Sequence, residues 1–200
     1  MARFYRKKKK KVKQNLGLLE KLSPMLIVCF CLFLFFTLLS GLNRIAIICL
    51  AIVFALIPNA YSLYKSYKQR MYYLNLDVPE IDNLTGIEFE ELLSTYYKQI
   101  GYKVTDTPIV SDYGADLILE KNDRKYVLQA KRYKNKVGVA AIQQVVASKA
   151  HYNADGAIVA TNNYFTKNAW NLAKENHVFL IDRAKLIELK DEVEKTKQNK

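Results

Sequence analysis

The chain has 200 residues, with 31 Lys and Arg against 19 Asp and Glu, for a formal net charge of +12. Half of its residues are apolar, which excludes a disordered tail protein. The three cysteines, Cys29, Cys31 and Cys49, all lie in apolar runs, which excludes a disulfide-built secreted scaffold and gives poor zinc spacing. The charge is unevenly spread. Residues 1–24 carry +8, residues 25–80 carry +2 and residues 81–200 carry +2, so the basic excess belongs to an N-terminal tail.

In chain order, the basic tail 1–24 reads as a topology signal and anionic-lipid contact, with nonspecific DNA attraction as the alternative. No charged residue occurs between Lys21 and Arg44, nor between Arg44 and Lys65. Each gap meets the roughly 20 apolar residues a bilayer span requires. The pattern predicts transmembrane helices over about 23–42 and 45–64, joined tightly through Gly41 to Arg44, with Pro58 ending or kinking the second. A cleaved signal peptide fits less well, because no Ala-x-Ala-like site precedes the second run. Basic residues outside both spans predict a multi-pass cell-membrane protein with both termini and the globular part cytoplasmic. Neither span contains an ionisable residue, so the pair reads as an anchor rather than a transport pathway.

Residues 65–82 read as a mixed linker and residues 83–189 as the globular domain. Thr85, with Glu88 three residues later and Leu84 facing Phe89, forms a capping box and staple that opens a helix ended by Gly101. Strands follow near Tyr102–Thr105, Ala115–Glu120 and Lys125–Lys131, the last two joined through Asn122-Asp123. A helix near 139–152, a strand Gly156–Thr161, a helix after Thr166 with Ala169, Trp170 and Ala173 packing, a strand Val178–Ile181 and a final helix complete the order. Residues 190–200 read as a polar, fraying tail. The fold class is α/β: a mixed sheet flanked by helices in the order α-β-β-β-α-β-α-β, preceded by the transmembrane hairpin.

A turn centred on Asn122-Asp123 places Asp116 opposite Gln129, with Lys131 two residues on, on the same face. Glu90 flanks the apolar stripe of its helix and can overhang the sheet. Two carboxylates and an amide oxygen suit a hard cation such as Mg2+, and a neighbouring lysine can orient water.

These residues resemble the catalytic domain of Mrr-like restriction endonucleases, a branch of the PD-(D/E)xK nuclease superfamily. The resemblance runs through Leu84 to Glu90, Gly101-Tyr102, Asp112 to Asp116, Gln129 to Tyr133, Val137 to Gln143, Thr161-Asn162, Phe165-Thr166 and Asp182-Arg183. It implies a restriction-endonuclease-like fold and Mg2+-dependent hydrolysis of DNA. It implies Asp116 as the metal-binding Asp, Gln129 in place of the acid of (D/E)xK, Lys131 as the catalytic Lys, Glu90 as the helix carboxylate and Gln143 as a supporting Gln. The metal set is then Asp116, Gln129 and Glu90. Ala115 stands where the superfamily has Pro. Nothing in the sequence reads as a separate reader of modified bases, so the expectation does not extend to dependence on methylation.

Arg132, Lys134, Lys136, Lys149 and Lys167 are candidate phosphate contacts. His151 and His177 lack ligand spacing. The expected partners are DNA and the lipid bilayer, with a homodimer as one way to supply a second active site. The alternative reading is a noncatalytic, membrane-tethered module that binds DNA or a partner protein.

Overall fold

The structure is a computed structural model and describes residues 30–33, 35, 44–107 and 114–198. The basic tail, most of the first expected span, and Asp112 and Tyr113 of the resemblance lie outside the described residues. The chain divides into two compact units between Tyr64 and Lys65.

In the first unit, residues 30–33 and 35 are helical, and helix α1 begins at Arg44 and runs to Leu74 across the boundary. Phe30 stacks on Phe54 at 5.4 Å between ring centroids. Helix α1 does not end at Pro58 but continues through it, and Asn59 Nδ2 donates to Ala55 O in the turn beside it. Among the described residues, no helix is long and apolar enough to cross a membrane.

The second unit is a three-layer α/β/α domain. Its elements are α2 (Val78–Ile81), α3 (Gly86–Gln99), β1 (Lys103–Asp106), β2 (Leu117–Lys121), β3 (Arg124–Lys131), α4 (Val139–His151), β4 (Gly156–Thr161), α5 (Lys167–Glu175), β5 (Val178–Ile181) and α6 (Arg183–Gln198). The sheet order is β1-β2-β3-β4-β5, antiparallel from β1 to β3 and parallel from β3 to β5. The expected element order is therefore present. On one face, α3 and α6 pack Phe89, Leu92, Leu93, Tyr96, Leu186 and Val193 against Leu117, Leu119 and Leu128. On the other face, α4 and α5 pack Ile142, Val145 and Ala169 against Val127, Ala157 and Val159.

Helix α3 shows what sets these elements. The Thr85 hydroxyl accepts the Glu88 N–H at 3.3 Å and Glu88 returns by accepting the Thr85 N–H at 2.7 Å. Such a cap contributes about 1 kcal/mol. Phe89, Leu92 and Leu93 are fully buried, and each such burial contributes about 1.5–3 kcal/mol. Docking on the sheet therefore dominates, and the cap fixes where the helix begins.

Three expectations change. Residues 65–82 are not a loose linker, because α1 continues to Leu74 and Tyr73, Leu74, Leu76 and Ile81 are buried in the first core. Tyr73 donates its hydroxyl to Glu91, which also accepts from Gln69. Burial and the Glu91 carboxylate both hold the Tyr73 hydroxyl protonated far above its ordinary range. Residues 190–198 do not fray, because Val193 is buried beside α3 and Lys197 Nζ reaches Asn75 Oδ1 at 2.8 Å. Trp170 is not core: it is 41% exposed, its ring edge-on to Phe165. The other two residues expected to pack on that helix, Ala169 and Ala173, are buried.

Candidate active site

The β2–β3 hairpin turns on two left-handed residues, Asn122 at φ 51° and Asp123 at φ 58°. That two-residue turn makes Lys121 and Arg124 a hydrogen-bonded pair. Alternation then makes Leu117 and Leu128 another. The expected register holds along this whole stretch. At Asp116 the ladder changes. The Asp116 N–H donates to Leu128 O at 2.8 Å instead of facing Gln129. Two successive residues thus address one partner, which is the hydrogen-bond pattern of a β-bulge.

The bulge re-aims the Asp116 side chain. Leu128 N–H and C=O face β2, so two residues on those of Ala130 face the same way. The Asp116 Oδ2 accepts the Ala130 N–H at 2.8 Å. Its carboxylate therefore stands at the edge of the sheet, between the positions of Gln129 and Lys131. The sequence places Asp116 squarely opposite Gln129; the structure places its carboxylate one step along, beside Ala130.

Gln129 is 2% exposed and points toward α4, where its Nε2 donates to Gln144 Oε1 at 2.8 Å. Its own Oε1 is buried and has no hydrogen-bond partner among the described residues. A buried amide oxygen without a donor is costly, and a cation is one group that would satisfy it. Gly114 leads the chain into this site at φ 93°, so close to α4 that an added Cβ would stand 2.8 Å from Gln144 Cβ. Only glycine fits there.

The glutamine of α4 that accepts from Gln129 is Gln144, where the resemblance implies Gln143; both are exposed on the helix. Helical phase carries the signal for this. Ala141, Val145 and Ser148 mark the buried stripe; Gln144 flanks it and Gln143 lies across the helix from it.

Lys131 is half-buried at the end of β3, on the Gln129 face by alternation. Its backbone carbonyl accepts the Thr161 hydroxyl at 2.6 Å, which ties the strand end to β4. Glu90 is half-buried on α3, the helix on the other face of the sheet. Among the described residues, no group of three or more His, Cys, Asp or Glu gathers to hold a metal ion. The donors beside β3 are therefore one re-aimed carboxylate and one unsatisfied amide oxygen, while Glu90 belongs to the helix of the opposite face. Hard oxygen donors of this kind fit Mg2+ better than softer cations.

The basic candidates separate. Lys134, Lys136 and Lys167 are exposed on the connections that follow β3 and β4, at the end of the sheet that holds Lys131. Lys149 lies at the other end: its carbonyl accepts the Ala154 N–H beside the start of β4. Arg132 is turned inward and donates to Asp82 O. His151 and His177 flank the ends of α4 and α5 remote from Lys131.

Asp82 is the residue that sequence reading missed. It accepts from Arg183 Nη1 at 2.7 Å and from Asn162 Nδ2 at 3.0 Å. The Arg183 guanidinium is the main reason its carboxyl titrates below the usual range. Asn162 Oδ1 in turn accepts the Tyr133 N–H at 3.0 Å. Asp82 thus ties the segment before α3 to the loops beside Lys131. Its partners are 80 and 101 residues away along the chain, so nothing local announces it.

No curated protein matches the chain. Among solved structures, the DNA modification-dependent restriction endonuclease AspBHI is 16% identical, with a TM-score of 0.46, over 61% of this chain and 35% of that one. The MspJI restriction endonuclease in complex with a 27-mer oligonucleotide is 17% identical, with a TM-score of 0.40, over 68% and 30%. AF1548, a protein of unknown function, is 16% identical, with a TM-score of 0.41, over 46% and 54%. The chain thus spans about half or less of the length of these structures. The family described as restriction endonuclease, Mrr_cat, matches residues 81–190, the stretch that carries Asp116, Gln129 and Lys131. The chain belongs to the restriction endonuclease family.

Proposed function

We propose that this chain is a membrane-anchored, Mg2+-dependent endonuclease that hydrolyses DNA phosphodiester bonds. The observation that carries the reading is the pairing of the Asp116 carboxylate, re-aimed by the bulge to Ala130, with the buried, unpartnered Gln129 Oε1. Asp116 and Gln129 would hold Mg2+, with Glu90 as a third oxygen donor. Bound there, the ion supplies Lewis-acid stabilisation of phosphoryl charge and a water of lowered pKa. Lys131 Nζ would donate a hydrogen bond to the attacking water or to a non-bridging phosphate oxygen and so orient the attack. Gln144 holds the Gln129 amide in place, and Lys134, Lys136 and Lys167 would contact flanking phosphates.

The membrane anchor is proposed as two helices over about 23–42 and 45–64. It is supported by the two charge-free gaps, by the Phe30–Phe54 stack and by the exposed Ile52, Val53, Leu56 and Ile57. The excess of basic residues in the tail supports a topology with both termini and the nuclease on the cytoplasmic side. A homodimer would supply one active site per DNA strand.

The test uses the full chain, purified in detergent and incubated with supercoiled plasmid. Cleavage that requires Mg2+ and is lost in Lys131→Ala supports the reading. Metal-dependent DNA binding with no cleavage would replace it with the noncatalytic tether. Resistance of the protein to alkaline extraction from membranes tests the anchor, and release by alkali would refute it.

A further inference from the structure

We infer that the loops following β3 and β4 form a stacking platform for unpaired bases, so that the preferred substrate carries a single-stranded stretch. The inference rests on the nuclease reading for its location and goes beyond it in naming the form of DNA.

Tyr133 is 50% exposed and Tyr164 is 48% exposed, and each sits just past the end of its strand. Neither loop is loose. The Tyr133 N–H is held by Asn162 Oδ1, Asn163 Nδ2 donates to Lys134 O at 2.8 Å, and Val137 N–H donates to Tyr164 O at 2.9 Å. Thr166 N–H returns to Val137 O at 3.0 Å and Arg183 N–H to Asn163 O at 2.9 Å. The backbones of two connections are laced into one unit while their aromatic side chains face solvent. Neither tyrosine belongs to either core.

The charge pattern names the occupant. No Asp or Glu occurs between Asp123 and Asp155, nor between Asp155 and Glu175. Those stretches supply Lys134, Lys136 and Lys167 beside the two tyrosines. Acid-free, lysine-bearing stretches of this kind suit a polyanion, and the neighbouring Asp82 is neutralised in an ion pair with Arg183. Exposed flat rings gain nothing from the stacked interior of a duplex, and they gain a stacking partner from each unpaired base. The two features together match single-stranded DNA better than duplex.

The full chain is tested by fluorescence anisotropy with a labelled oligo-dT and with the same strand paired to oligo-dA. Both are measured in EDTA, so hydrolysis does not enter. Oligo-dT should bind at least about tenfold tighter than the duplex, and Tyr133→Ala with Tyr164→Ala should abolish that preference. Tyr133→Phe with Tyr164→Phe keeps the rings and should retain it. Unchanged duplex affinity in the Ala variant shows that the fold and basic tail are intact. Trp170, the only tryptophan, is edge-on to Phe165 on the same connection and should be quenched by oligo-dT in the wild type. Equal affinity for the two DNA forms, or an Ala variant that keeps the preference, overturns the inference. A protein that binds oligo-dT as described yet never cleaves plasmid upholds the platform and refutes only the nuclease reading.

Discussion

The Asp116 carboxylate has two duties in this account, and substitution can separate them. It accepts the Ala130 N–H, which the bulge has left without a strand partner, and it offers oxygen to a cation. Asp116→Ala removes both. Hydrogen bonds to charged groups contribute about 1.5–3 kcal/mol, and this one is only part-buried, so the lower end, about 1.5 kcal/mol, applies. Asp116→Asn keeps a side-chain oxygen for Ala130 and loses the charge. It should cost well under half as much stability, yet lose as much activity as the Ala variant. Losing several kcal/mol of transition-state stabilisation predicts a fall of about a hundredfold or more in both. Urea unfolding reads the first duty and plasmid cleavage the second. If the Asn variant is as unstable as the Ala variant, the carboxylate does not satisfy Ala130 in the way described. If the Asn variant still cleaves, its charge is not needed and the metal role is wrong.

Gln144→Ala should reduce cleavage about tenfold or more, the usual effect of removing a group that orients a metal ligand, whereas Gln143→Ala should leave it unchanged; equal effects would refute the assignment. Gly114→Ala forces a Cβ onto a φ of 93° and against Gln144, and should cost about 1–3 kcal/mol in urea unfolding. An unchanged midpoint would mean that this approach is not tight. Asp82 titrates below its ordinary value because of Arg183, so its stabilising contribution is complete above the unfolded pKa of about 3.9 and is lost as pH falls through the lower folded value. Asp82→Asn should therefore be less stable than the wild type at neutral pH, with the gap closing in acid. A gap that is constant with pH, measured by thermal unfolding, would contradict this.

Much of the architecture is written locally. The capping box at Thr85 and the two-residue turn at Asn122-Asp123 each use neighbouring residues, and the turn alone fixes the register from Leu117 to Lys121. The bulge is not local in this sense: nothing in the alternation of Ala115 to Glu120 reveals that Asp116 addresses Leu128. Residues 65–82 and 190–198 were misread for one reason. Tyr73, Leu74, Leu76 and Val193 become core only because the two segments meet around α3, a contact that neither segment's own pattern announces. Asp82 shows the same limit for polar groups, since its partners come from the far side of the fold. Helical spacing groups Trp170 with Ala169 and Ala173, but only the two alanines are buried, and spacing alone does not separate adjacent positions at the rim of a stripe.

The most direct measurement is a crystal structure of the full chain soaked with Mn2+, with the metal located by its anomalous scattering. The account predicts a single Mn2+ about 2.1 Å from both an Asp116 carboxylate oxygen and Gln129 Oε1, at the distances expected for a Mg2+-type site. A crystal that holds Mn2+ elsewhere, or that shows Gln129 Oε1 engaged by a protein donor and no metal beside Asp116, would contradict it.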